Sequence, residues 1–240
     1  DKGQIYGFLG PNGAGKSTTM NIMTGYIAST SGEVLIDGHN ILEEPEAAKK
    51  CIGYLPEQPP LYFDMTVAEY LKFAAELKKV PKNERETQIE QVMELTGITA
   101  MANRLIKNLS KGYKQRVGLA QAILGYPEII ILDEPTVGLD PKQIIEIREL
   151  IRKLSEEHTI ILSSHILSEV SAVCDYIMII NHGKLVASDT TENLMNHSLG
   201  RNTLELTVKG KKQDVEKMLR DVEEIQKLEW KPGENEKTVS

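Results

Sequence analysis

The residues from Gly10 to Ser17 read GPNGAGKS and fit the pattern G-x-x-x-x-G-K-S. An apolar run over residues 5–9, IYGFL, precedes this segment, and residues 18–23 have a composition that can begin a helix. Glycines let the backbone turn its N–H groups inward on an anion, and a helix that follows adds the positive end of its dipole. The pattern therefore predicts a phosphate-binding loop between a strand and a helix, rather than an incidental glycine-rich turn.

This loop predicts a ligand with β- and γ-phosphates, bound together with Mg²⁺. Lys16 supplies a positive charge for the β- and γ-phosphates, and Ser17 supplies a hydroxyl that can bind Mg²⁺. The predicted phosphate-binding residues are Gly10, Pro11, Asn12, Gly13, Ala14, Gly15, Lys16, Ser17 and Thr18.

Composition narrows the class of protein. The 240 residues carry a formal net charge of −7, which argues against a nucleic-acid-binding surface as the main function because such surfaces are usually basic. The sequence has no apolar stretch of about 18 residues that would span a bilayer, and no signal peptide is visible. Cys51 and Cys174 lack the spacing of a metal site, so we expect reduced thiols in a cytosolic protein.

Strands alternate with helices along most of the chain, which predicts an α/β fold with a mostly parallel sheet around a P-loop NTPase core. After residues 5–9, strands are predicted at 31–38, 52–56, 129–132, 159–162, 176–180 and 184–187. Helices are predicted at 66–80 and 83–95 and beginning near residues 110, 141 and 168. The helices within about 64–125 predict an all-helical insertion between the phosphate loop and the second core strand.

Composition changes near residues 190–202, which predicts a division of the chain. We expect one domain over residues 1–200 and a small accessory region over 201–240. Alternating apolar residues, then a helical stretch over 212–220, then further apolar residues indicate the start of a β-α-β appendage, cut short, with a docking or regulatory role.

Two carboxylates follow the strand predicted at residues 129–132. That run, IIIL, shows no alternation, so both of its faces should be buried, as in a central parallel strand. It delivers Asp133 and Glu134 at its carboxyl end, where open α/β sheets hold their ligands. Asp133 is placed to bind Mg²⁺ either directly or through one of its other ligands, and Glu134 to accept a proton from a water attacking the γ-phosphate. An acidic strand end that merely caps a helix is the alternative, and the phosphate loop disfavours it.

A third segment, residues 108–116, reads NLSKGYKQR. Taken alone, Ser110 is best explained as the N-cap of a helix. A phosphate loop, an L-S-x-G segment and an I-I-L-D-E-P strand in this order resemble the ATP-binding cassette ATPase of ABC transporters. The resemblance covers about residues 3–195, and six motifs of the family occur in order. Gln58 matches the family's Q-loop glutamine, Ser110 and Gly112 its signature segment, Gly138-Leu139-Asp140 its D-loop, and His165 its switch histidine.

The resemblance implies that two cassettes pair head to tail and enclose two ATP molecules. Ser110 and the backbone N–H of Gly112 would contact the γ-phosphate bound to the other copy. Gln58 would contact Mg²⁺ and the attacking water and link them to a transmembrane partner. His165 would hydrogen-bond the γ-phosphate, and Asp140 would lie in the dimer interface. Glu134, His165 and Gln58 are thus the expected catalytic residues, and Ser17, Gln58 and Asp133 the expected metal-binding residues.

The signature segment also indicates a branch of the family. Lys111 and Tyr113 depart from the common L-S-G-G-Q and resemble cassettes of drug, antibiotic and polysaccharide export systems, which usually work as homodimers on separate membrane subunits. The resemblance therefore implies an ATP-hydrolysing subunit that powers export, peripherally attached to the inner face of the cell membrane, with permease subunits and a second copy as partners. No nucleic-acid partner is expected, and the cargo is not encoded in this chain.

The beginning of the chain departs from the family pattern. Asp1 lies only nine residues before Gly10, whereas the family normally has a leading strand or two with an aromatic residue that stacks on adenine. We expect that segment to be missing and ATP binding to be weak without it.

Proteins with a phosphate loop include two alternative functional classes. The first is a soluble cassette ATPase that remodels a translation or DNA-repair complex, but translation members usually carry two cassettes and repair members a long coiled coil. The second is a P-loop kinase, which would leave residues 109–112 and His165 unexplained.

Overall fold

The structure is a computed structural model that describes residues 3–194 and the separate positions Val215, Lys217 and Leu219. Contacts between Cα atoms divide the chain into two compact units, residues 1–196 and 197–240. The three positions beyond residue 194 are helical and fall in the helix expected at 212–220. The rest of the predicted accessory region lies outside the described residues, and the domain boundary near residue 200 remains a prediction.

Residues 3–194 contain eight strands and seven α-helices, which alternate along most of the chain. The strands are β1 Ile5–Leu9, β2 Leu35–Ile36, β3 His39–Asn40, β4 Ile52–Leu55, β5 Ile129–Leu132, β6 Thr159–Ser164, β7 Tyr176–Asn181 and β8 Lys184–Thr190. The helices are α1 Lys16–Met23, α2 Pro45–Lys50, α3 Val67–Leu77, α4 Arg85–Leu95, α5 Lys111–Ile123, α6 Pro141–Ser155 and α7 Leu167–Val170. Short 3₁₀ helices occur at Thr99–Met101 and Ile106–Asn108.

Six strands form one sheet in the order β4-β5-β6-β1-β7-β8. All neighbours are parallel except the β7–β8 pair, so the predicted α/β fold with a mostly parallel sheet is confirmed. β1 is central and pairs with β6 on one side, Ile5 opposite Ile160, and with β7 on the other. Because β6 lies between β5 and β1, the carboxyl ends of these three strands meet at one edge of the sheet.

The buried positions of β5 face two separate cores, which explains its unbroken apolar run. Ile130 and Leu132 belong to the larger core, with α3, α4, α5 and α6. Ile131 belongs to a smaller core, with Met20 of α1 and Ala48 of α2. All three β5 residues are fully buried, as the sequence predicted for a strand covered on both faces.

The helical insertion lies within the expected residues 64–125, but the strand that follows it is the third of the main sheet in chain order, not the second. β4 already pairs with β5 in the main sheet, so α3, α4 and α5 lie between the β4 and β5 strands. The insertion begins at a capping box: the Thr66 hydroxyl accepts from the Glu69 N–H, and the Glu69 side chain accepts from the Thr66 N–H.

Several predicted elements differ in detail. The strand expected over 31–38 is a two-residue hairpin strand that turns at Asp37 and Gly38, both with positive φ, and pairs with β3. The sequence does not predict helix α2, because its six residues are too few to show helical periodicity. Within the described residues, no helix combines the length and apolarity needed to cross a membrane.

Candidate active site

The phosphate loop connects β1 to α1 and wraps around the side chain of Lys16. Gly15, the N-cap of α1, has φ 108°, a left-handed backbone that favours glycine. Lys16 is the first helical residue, and its buried ammonium donates hydrogen bonds to the carbonyl oxygens of Gly10 at 2.7 Å and Pro11 at 3.3 Å. Helix α1 therefore begins at Lys16, two residues before the helix expected from Thr18.

The start of the loop is packed tightly on β7. A Cβ atom added to Gly10 would lie 2.4 Å from the carbonyl oxygen of Ile180, which is too close for any side chain. After β7, the Gly183 N–H donates to the Ala14 carbonyl at 2.8 Å, so the loop is held from both ends by the same strand pair.

Asp133 and Glu134 follow β5 and are almost completely buried, with exposed fractions of 4% and 7%. Glu134 has φ 47°, a left-handed conformation that is uncommon for a residue with a side chain. Its Oε1 lies 3.5 Å from Lys16 Nζ, and its Oε2 accepts a hydrogen bond from His165 Nδ1 at 3.0 Å. Lys16, Glu134 and His165, predicted from three separate motifs, therefore meet at one point.

A serine that sequence reasoning missed holds both carboxyl residues. The Ser163 hydroxyl donates to Asp133 Oδ1 at 2.5 Å and accepts from the Glu134 N–H at 2.9 Å. A serine at the end of an apolar strand carries no motif of its own, so only the register of β6 beside β5 could have indicated its role.

A second unpredicted carboxylate, Glu169 of α7, ties the segment after Glu134 to the segment before His165. Its Oε2 accepts from the Thr136 hydroxyl at 2.6 Å and from the Ser164 hydroxyl at 3.2 Å. The Ser164 hydroxyl in turn accepts from the Ile166 N–H at 3.1 Å. The turn that carries His165 is therefore anchored on both sides.

A cavity of about 360 Å³ opens beside the loop. Its lining consists of Asn12, Gly13, Gly15, Lys16, Ser17, Thr18, Glu57, Glu134, Val137 and His165. Gln58 is exposed and does not line this cavity, whereas its neighbour Glu57 does. The structure therefore brings together the phosphate loop, Glu134 and His165 but leaves Gln58 outside.

The signature and D-loop residues lie elsewhere on the molecule. Gly112 and Asp140 line a groove of about 620 Å³ that shares no lining residue with the phosphate-loop cavity. Exposed Ser110 caps α5 by accepting from the Tyr113 N–H, and Asp140 caps α6 by accepting from the Gln143 N–H. Within the described chain these three residues do not reach the chain's own phosphate loop.

The donor set near the loop fits a hard divalent cation. Ser17 lines the phosphate-loop cavity and offers a hydroxyl, whereas Asp133, the buried residue before Glu134, offers a carboxylate but does not line the cavity. Mg²⁺ is usually held by one or two protein oxygens together with substrate phosphates. The described residues contain no cluster of three or more His, Cys, Asp or Glu that could hold a metal without such phosphates. Near Asp133, burial and the Asp133 charge raise the pKa of Tyr54 to about 12, so that phenol stays neutral.

Comparison with known proteins identifies the family. The family model described as "ABC transporter" matches residues 1–137, more than half of the chain. The chain belongs to the ABC transporter family. The fold and the site described above correspond to the ATPase domain of such transporters.

Two curated relatives act in antibiotic transport according to their names. The bacitracin transport ATP-binding protein BcrA of Bacillus licheniformis is 43% identical over 187 residues, 77% of this chain and 60% of its own. The lantibiotic transport ATP-binding protein SrtF of Streptococcus pyogenes is 38% identical over 205 residues, 82% of this chain and 86% of its own. These names agree with the export branch indicated by Lys111 and Tyr113. The chain nevertheless spans less than two thirds of the length of several curated relatives.

Solved structures show the same fold. A dimeric post-hydrolysis state of the ATP-binding cassette MJ0796, bound to ADP and Pi, aligns with a TM-score of 0.71 and 27% identity over 80% of this chain and 87% of that chain. The fold of this ABC family chain is therefore that of an ATP-binding cassette.

Proposed function

We propose that this chain binds ATP with Mg²⁺ and hydrolyses it, and that ATP-driven pairing of two copies powers export through separate membrane subunits. The observation that carries the proposal is the position of the Glu134 carboxylate. It lines the cavity of the phosphate loop, 3.5 Å from Lys16 Nζ and 3.0 Å from His165 Nδ1.

The residues of the cavity have complementary tasks in this proposal. The loop N–H groups and the Lys16 ammonium bind and orient the β- and γ-phosphates. Ser17 and Asp133 would hold Mg²⁺, which neutralises phosphate charge when bound. Glu134 accepts the proton of the attacking water, and His165 orients the Glu134 carboxylate and contacts the γ-phosphate.

The separation of the signature residues from the phosphate loop supports pairing. The N-terminus of α5, with exposed Ser110 as its cap, carries the positive end of the helix dipole, which favours an anion, yet the phosphate-loop cavity of the same chain does not include it. A second copy, turned head to tail, would bring its γ-phosphate there. The MJ0796 cassette bound to ADP and Pi is itself a dimer, which supports this arrangement.

Export, rather than work on ribosomes or DNA, is supported by the similarity to the bacitracin and lantibiotic transport ATP-binding proteins. We place the chain at the inner face of the cell membrane, in complex with permease subunits that carry the specificity for the cargo. Gln58, exposed just after β4, is proposed to contact both those subunits and the attacking water.

The test is ATP-dependent dimerisation of Glu134→Gln, measured by size-exclusion chromatography with light scattering. Without the base, ATP should persist and hold two chains together, so we expect a dimer with Mg²⁺-ATP and a monomer with Mg²⁺-ADP. Glu157→Gln is the control, because it removes the same negative charge at an exposed position outside the site. It should show no lasting dimer, since this variant still hydrolyses ATP. A Glu134→Gln protein that stays monomeric with ATP, or that dimerises equally with ADP, would contradict the pairing mechanism.

A further inference from the structure

Ser163 is completely buried, and its hydroxyl has two partners, both in the segment that follows β5. It donates to Asp133 Oδ1 at 2.5 Å and accepts from the Glu134 N–H at 2.9 Å. A serine hydroxyl has one proton to donate, so the donation to Asp133 leaves the oxygen lone pairs for the Glu134 amide. The arrangement therefore gives the Glu134 backbone a fixed acceptor.

Glu134 needs such a restraint because its backbone is left-handed, with φ 47°. A residue with a Cβ rarely adopts this conformation, and it persists only where surrounding contacts hold it. The backbone angle sets the direction of the Cα–Cβ bond, and hence whether the carboxylate points at Lys16 and His165. The hydrogen bond from the Glu134 amide to Ser163 therefore helps to set the direction in which the Glu134 carboxylate points.

Strand β6 contacts both the phosphate loop and the residues that Ser163 holds. Ser163 is opposite Phe8 of β1, and Leu162, the residue before it, is opposite Leu132 of β5. The next β6 residue, Ser164, accepts the Gly10 N–H through its carbonyl at 3.4 Å. One strand thus touches both the phosphate loop and the segment that carries Glu134.

We propose that Ser163 is a positioning residue that holds Glu134 in its left-handed conformation and so fixes the carboxylate relative to the phosphates bound by the loop. The role rests on the proposed ATPase function and adds to it a residue outside the family motifs. It predicts a loss in the rate of hydrolysis with little change in the affinity for ATP.

The experiment compares Ser163→Ala, Ser163→Cys and Thr191→Val in steady-state ATPase assays of the full chain. Cysteine keeps the shape of serine but is a weak hydrogen-bonding group, so it separates lost bonds from a lost volume. Thr191, whose hydroxyl donates to the Cys174 carbonyl at 2.6 Å, is a control for loss of one hydroxyl bond away from the site.

We expect kcat to fall about tenfold or more in both Ser163 variants, as for other groups that orient functional residues, with KM for ATP changed less than about twofold. Thermal unfolding of each variant measures the structural contribution, and Thr191→Val should lose thermal stability without losing kcat. A Ser163→Ala protein with the kcat of Thr191→Val, or a Ser163→Cys protein with wild-type kcat, would overturn the role.

A double-mutant cycle with Glu134→Gln tests whether Ser163 acts through Glu134. If it does, Ser163→Ala will leave the residual single-turnover rate of Glu134→Gln unchanged, and the ATP-dependent dimer of that variant will persist. An equal further loss of rate in the Glu134→Gln background would refute action through the carboxylate. A wild-type chain without ATPase activity would instead remove the proposed function, and this role with it.

Discussion

Gly10 shows how a single atom can constrain the site. The φ of Gly10 is not positive, so its backbone conformation does not require glycine. Glycine is required because an added Cβ would lie 2.4 Å from the Ile180 carbonyl oxygen, an atom of the sheet backbone. Gly32 is the opposite case, with φ 78° and no atom within 4 Å of an added Cβ. Replacing Gly10 by alanine therefore tests the cost of a steric clash, and replacing Gly32 tests the cost of a left-handed backbone.

We therefore expect Gly10→Ala to lower the free energy of unfolding by about 2–3 kcal/mol, because β7 cannot yield. Gly32→Ala should cost only about 1 kcal/mol, the penalty of a left-handed backbone. Urea unfolding followed by circular dichroism measures both values. If Gly10→Ala lost less stability than Gly32→Ala, the packing of the loop on β7 would not be the reason for glycine at position 10.

At the scale of elements, a lysine joins two helices of the insertion. Lys78, at the end of α3, donates from Nζ to the carbonyl oxygens of Ala122 at 2.6 Å and Leu124 at 2.9 Å, at the end of α5. Burial lowers the pKa of Lys78 from an ordinary 10.5 to about 8. A cation at the negative end of a helix is favourable, but here it is held where water is largely excluded.

This pKa makes stability depend on pH in a defined direction. Between about pH 8 and 10.5 the unfolded chain retains the Lys78 proton and the folded chain does not, so this group makes the protein more stable as pH rises. We expect wild type to gain free energy of unfolding relative to Lys78→Met across this window, as measured by urea denaturation at several pH values.

Lys72→Met, an exposed change on the same helix, serves as the control and should leave the pH dependence of wild type intact. A wild-type profile parallel to that of Lys78→Met from pH 8 to 10.5 would show that the ammonium remains hydrated in the folded protein.

At the scale of the whole molecule, the main sheet was predictable because its strands are short apolar runs between helical stretches. The unbroken run at residues 129–132 indicated a strand buried on both faces, and the positions of Lys16 and Glu134 followed from their motifs. The role of Ser163 could not be predicted, because it depends on which strand lies between β5 and β1. The exposed place of Gln58 and the short hairpin near Leu35 depend on tertiary contacts that leave no periodicity in the sequence.

The central place of β1 has a consequence for how the protein is made. β1 is synthesised before both of its neighbours, β6 and β7, which come more than 150 residues later, as the pairing of Ile5 with Ile160 shows. The phosphate loop also depends on Gly183, whose N–H binds the Ala14 carbonyl. A nascent chain that has not yet emerged to that point cannot form its nucleotide site, and contacts so distant in sequence fold slowly. In refolding experiments with a fluorescent ATP analogue, we expect binding to appear only with the last and slowest phase, when β7 has paired with β1.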